Sequence, residues 1–92
     1  MRLVYKFHFN KGVDISFIET QLINSIMTSV DVFGQPKVEL STTYFVRGQE
    51  AALEVSGIAG LHTLLVFAGL LSRSIGVDRY SMQYFLSLKG AA

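Results

Sequence analysis

Few side chains in this sequence are equipped for chemistry near neutral pH. His8 and His62 are its two histidines, and histidine changes charge between about pH 5 and 8 without help from its surroundings. Neither is followed by a carboxylate or a second histidine at i+3 or i+4, the spacing that would set two ligands on one helix face. No metal site is therefore expected. Cysteine is absent, which removes thiolate nucleophiles, disulfides and cysteine-bound metals. Serine is plentiful, yet neither a G-x-S-x-G elbow nor a Ser-x-x-Lys pair occurs. No catalytic residue and no cofactor is assigned on these grounds.

Two polar groupings remain. Ser56-Gly57-Ile58-Ala59-Gly60 leads from an extended segment into a helical one. There Gly57 and Gly60 would leave backbone N–H groups bare for an anion at the helix start. The Gly-Lys-Ser/Thr ending of a phosphate-binding loop is missing, and a tight turn, with Gly60 admitting close helix–sheet contact, explains the same residues. The second grouping is Lys6, His8 and Glu54, which strand alternation assigns to one sheet face. They would form a platform for a polar ligand or partner. The plainer reading is a solvated face with a cross-strand ion pair worth about a few tenths of a kcal/mol.

The elements that must position these residues follow from periodicity. Leu3, Tyr5, Phe7 and Phe9 alternate with Val4, Lys6 and His8, the signature of a half-buried strand. Asp14 to about Asp31 reads as a helix. Ile18, Leu22, Ile26 and Val30 recur every four residues, with Thr20, Gln21, Asn24 and Thr28 opposite. Ser16 and Glu19 have capping-box spacing, and Gly34 and Pro36 are its stop signals. Lys37–Arg47 and Glu50–Ser56 flank Gly48-Gln49, a glycine-first pair suited to a type II′ hairpin turn. That turn sets Arg47 opposite Glu50, Tyr44 opposite Leu53 and Thr42 opposite Val55. It gathers Val46, Tyr44, Thr42, Ala51, Leu53 and Val55 on one face, so turn and hydrophobic pattern agree. Ile58–Ser74 reads as a second helix ended by Gly76, and Arg79–Leu88 alternates again.

The order β-α-β-β-α-β, in one domain over 1–92, is most simply an α+β sandwich. A four-stranded antiparallel sheet would carry two helices on one face. This plan resembles the ferredoxin-like arrangement, which implies the strand order 4-1-3-2. RNA-recognition domains share the plan and stack bases on aromatics of their central strands. Here Glu50–Ser56 holds no aromatic, and Tyr5, Phe7 and Phe9 belong to the core face. The first loop, Asn10-Lys11-Gly12-Val13 before a helix, is similar to that of amino-acid-binding ACT domains. That likeness covers four residues and implies a small-molecule sensor with its ligand near Asn10–Asp14.

Charge narrows the partners. Eight Lys+Arg against seven Asp+Glu give a net +1, scattered without runs, whereas nucleic-acid binders concentrate positive charge on one face to release counterions. Neither nucleic acid nor an anionic membrane is an expected partner. Met1–Phe9 alternates instead of forming the apolar block of a signal peptide. The long apolar stretch from Ile58 to Leu71 is interrupted by Gly60, His62 and Thr63. It falls short of the roughly 20 residues that span a bilayer. A cytoplasmic location is expected.

Half of the residues are apolar and the mean hydropathy is +0.40, high for a domain with so much surface to cover. On a helical wheel Leu61, Leu64, Leu65, Ala68, Leu71 and Ile75 form the stripe that should meet the sheet. Val66 and Leu70 then point away from it, with Gly69 nearby and Phe67 and Arg73 at the flanks. A helix apolar on all sides is usually covered on both. The expected function is association: a homo-oligomer, most simply a dimer, or docking onto another protein, through Val66, Phe67, Gly69, Leu70 and Arg73. A small-molecule sensor of ACT-like type is the alternative, and an enzyme comes third.

Overall fold

The computed structural model describes residues 2–87. The chain forms β1 (Arg2–Phe9), α1 (Ile15–Phe33), α2 (Gln35–Ser41), β2 (Thr42–Arg47), β3 (Glu50–Val55), α3 (Gly57–Ser74) and β4 (Tyr80–Ser87). This is an α+β fold with one four-stranded antiparallel sheet and three helices. Neighbouring strands run β2-β3-β1-β4, which read from the other edge is 4-1-3-2. Leu88, expected as the last residue of the fourth strand, lies outside the described residues.

The hairpin has Arg47 opposite Glu50, Tyr44 opposite Leu53 and Thr42 opposite Val55. Gly48, at φ +58°, supplies the positive φ that a two-residue turn demands at its first central position. The start of α1 differs from expectation. Asp14 caps the helix, its carboxylate accepting from the Ser16 backbone N–H at 3.0 Å. A short carboxylate is among the best N-caps, and it takes the place of the Ser16–Glu19 box.

A larger difference lies at Lys37–Ser41, expected as strand and found as helix. Gly34, at φ +89°, does end α1. Pro36 stands in the first turn of α2, where its missing N–H costs nothing and its fixed φ suits a helix. One turn on, Gln35 Nε2 donates to Glu39 Oε1 at 2.7 Å, and Val38 is buried. Glu39 and Ser41 therefore belong to α2, and β2 begins at Thr42.

Phe7, Phe9, Ala51, Leu53 and Val55 from the sheet meet Ile18 and Leu22 of α1 and Leu64, Phe67 and Leu71 of α3 in one core. Both long helices thus lie on the same face. The strand order carries the α1 connection across β3 and the α3 connection across β1. The central strands are covered, while Met82, Tyr84 and Leu86 of β4 and Tyr44 of β2 stay exposed on the helix side. The whole of α3, 18 residues of mean hydropathy 1.3, has the length and composition of a bilayer-crossing helix. In this fold Leu64, Phe67 and Leu71 commit one of its sides to the sheet.

Candidate functional site

The seating of α3 decides which of its residues remain exposed. Gly60, Thr63, Leu64, Phe67 and Leu71 are buried. Phe67 is 0% exposed and meets the Phe7 ring edge-on, with centroids 5.0 Å apart at 83°. A Cβ on Gly60 would stand 2.8 Å from the Ser41 carbonyl oxygen and 2.9 Å from the Val55 Cβ. A residue without a side chain is what lets the helix approach so closely.

These contacts rotate α3 away from the expected stripe, so Leu61 and Leu65 do not face the sheet. Phe67, expected at the flank of an interface, is core, because the largest ring on the helix takes the deepest place. Val66 and Leu70 are half-buried. They follow His62 at four-residue steps along the side that meets α1, and so they are not the outermost residues. Gly69 and Arg73 are exposed. The outward side is headed by Ile58, Leu61 and Leu65, which are 75%, 47% and 62% exposed.

Strand β4 exposes apolar residues as well. Tyr80 packs against the core, whereas Met82, Tyr84 and Leu86 are exposed. Tyr84 stacks on Tyr5 with centroids 5.7 Å apart and still leaves 67% of itself in water. Phe85, on the opposite face of the strand, is exposed as well. No residue from Tyr80 to Ser87 is charged. Leu61 and Leu65 share the flank of α3 turned away from α1. Ile75, which like Tyr80 packs against the core, lies on that flank too.

The polar grouping on the open face is arranged differently from expectation. Lys6, His8 and Glu54 share the face, but Glu54 lies opposite Val4, while Lys6 lies opposite Ala52 and His8 opposite Glu50. The carboxylate near Lys6 is that of Glu50, with Nζ and Oε2 4.0 Å apart and both side chains about two-fifths exposed. An exposed pair of this length contributes little. A cleft of about 230 Å³ gathers Lys6, His8, Glu50, Ser81 and Gln83. Alternation assigns a residue to a face; the register between strands names its neighbours, and that register is set by tertiary contacts.

His62 makes a contact with the length of a base–nucleophile pair: its Nδ1 lies 2.9 Å from Ser29 Oγ. Thr63 Oγ1 is 2.7 Å from the same Ser29 oxygen and 3.1 Å from the Ala59 carbonyl. Ser29 and Thr63 are fully buried between α1 and α3. Nδ1 is the nitrogen that a catalytic triad gives to its orienting carboxylate, and here Ser29 occupies it. The Phe33 ring stands edge-on to the imidazole at 5.4 Å. The group satisfies its own polar atoms between two helices. Among the described residues no cluster of three His, Asp or Glu is placed to hold a metal.

At the strand-to-helix turn, Gly57 has φ +67° and the Ser56 N–H donates to the Ser41 carbonyl at 2.9 Å. Beside it lies a cavity of about 370 Å³ whose walls include Phe33, Leu40 and Ile58 together with Lys37. The Asn10–Asp14 loop is laced to its neighbours. Gln49 Nε2 donates to the carbonyls of Asn10 and Val13 at 3.1 and 3.2 Å, and the Asn10 N–H donates to the Arg79 carbonyl at 2.9 Å. No protein-family model matches the chain, and no curated protein matches it.

Proposed function

We propose that this chain is an association module of ferredoxin-like fold that forms a homodimer through the outer side of α3. The β-α-β-β-α-β order, with both long helices on one sheet face, supports that fold, and α2 is then an addition before β2. The observation that carries the function is the exposure of Ile58, Leu61 and Leu65 along α3. Each aliphatic side chain left in water forgoes about 1.5–3 kcal/mol of burial, and contiguous apolar surface marks interaction sites. A cytoplasmic setting accompanies the proposal, because the chain has no cysteine and its stability needs no disulfide.

Sedimentation equilibrium over a concentration series tests this reading. The wild type should reach twice the chain mass, and the Leu61→Asp, Leu65→Asp double variant should remain a monomer with an unchanged circular dichroism spectrum. A wild type that stays monomeric at high micromolar concentration sinks the reading. A small-molecule sensor draws its support from a different place than Asn10–Asp14. A cavity of about 420 Å³ lies between α1, α2 and β2, with Val38, Tyr44, Asp31 and Glu39 among its lining residues, within the size range of ligand sites. A sensor would show a ligand-dependent melting temperature, and a dimerising module shows one that depends on protein concentration.

A further inference from the structure

Strand β4 has β1 on one side and, among the described residues, no neighbour on the other. An edge strand presents a row of N–H and C=O groups ready to pair with another strand, and folded proteins usually blunt such an edge with charge, proline, a bulge or a very short strand. β4 shows none of these devices: it runs eight residues, Tyr80–Ser87, without charge, proline or glycine. The opposite edge, β2, is six residues long and ends in Arg47.

We propose that β4 is the seam of a two-fold dimer, pairing antiparallel with β4 of a second copy about Tyr84. This deepens the association reading and rests on it. Directly opposed residues of an antiparallel pair share a sheet face, so a two-fold axis must pass between a residue and its own copy. With Tyr84 opposite its own copy, Met82 meets Leu86 on the helix side and Gln83 meets Phe85 on the open side. No like charges are brought together, because β4 carries none.

The surface favours a second copy as the occupant. Met82, Tyr84 and Leu86 on the helix side and Phe85 on the open side are each about half exposed or more, so an antiparallel copy of the same strand covers apolar side chains on both faces of the sheet at once. The pairing would extend the sheet to eight strands and bring the two α3 flanks to opposite sides of the seam. That explains why Leu61 and Leu65 are apolar although they face neither the sheet nor α1.

The chain has no native cysteine, so a single Tyr84→Cys substitution reports on the seam directly. Opposed positions of an antiparallel pair lie within disulfide reach. Under mild oxidation Tyr84→Cys should convert almost entirely to a covalent dimer, while Thr43→Cys on β2 should stay monomeric. Tyr84→Lys and Tyr84→Glu should each be monomers alone and should form a heterodimer when mixed. Three outcomes overturn the proposal. If the wild type dimerises and is dissociated by Leu61→Asp, Leu65→Asp, yet Tyr84→Cys crosslinks no more than Thr43→Cys, α3 is the interface and β4 is not. If the wild type is a monomer, both readings fail together. If it remains a monomer but sediments with phosphatidylcholine–phosphatidylglycerol vesicles, the apolar surface serves lipid instead of a second copy.

Discussion

Along its inner side α3 carries Gly60, Thr63, Leu64, Phe67 and Leu71, and along its outer side Ile58, Leu61, Leu65 and Gly69. The outer set is no less apolar than the inner one, which includes a glycine and a threonine. Fit separates them. Gly60 admits the backbone of Ser41 and the side chain of Val55, Thr63 finds Ser29, and Phe67 enters edge-on to Phe7. Interiors are close-packed, so a helix turns toward the sheet the side whose shapes interlock, even when another side has as many leucines. The outer side stays exposed.

Substitutions on the two sides should separate sharply. Phe67→Ala should lower the free energy of unfolding by about 3–5 kcal/mol, because the vacated ring space lies among residues that cannot collapse into it. Leu65→Ala should change the same quantity by no more than about 0.5 kcal/mol in the monomer. Urea titrations of both variants at low protein concentration give the comparison, and losses of similar size would erase the distinction between the two sides.

The two glycines of the helix sharpen it further. At Gly60 an added methyl meets a backbone carbonyl and a buried valine, so Gly60→Ala should cost about 1–3 kcal/mol through overpacking. At Gly69 nothing lies within 4 Å of the added carbon. Gly69→Ala should therefore stabilise the fold by about 0.5–1 kcal/mol, the ordinary gain of alanine over glycine inside a helix. The smaller effect is read from the melting temperature, and a drop there would mean that something already covers the outer side.

The parts of the fold legible in the sequence are those with local causes. Gly48-Gln49 and the alternation on either side of it define the hairpin, because a two-residue turn and a period-two pattern constrain the same register. Helix α2 was not legible. Pro36 after Gly34 signals the end of one helix and equally the first turn of the next, and Lys37–Ser41 carries too few residues for periodicity to choose. Glu50 as the neighbour of Lys6 and His8 was hidden for a different reason. β1 and β3 are separated by two helices and a strand, and parity along each strand permits several registers.

The candidate site divides in the same way. That one helix would be too apolar for its surroundings followed from composition and spacing in Ile58–Leu71, since a count of apolar residues needs no knowledge of neighbours. Which of those residues remained outside depended on the rotation of α3. That angle is set by contacts to Ser41, Val55, Phe7 and Ser29, all distant in the chain. The exposure of β4 was likewise a tertiary outcome. Alternation puts Tyr80, Met82, Tyr84 and Leu86 on one face, but α3 passes over β1 and leaves all but Tyr80 uncovered. Periodicity tells which residues share a face, and the course of the helices over the sheet decides which faces are closed.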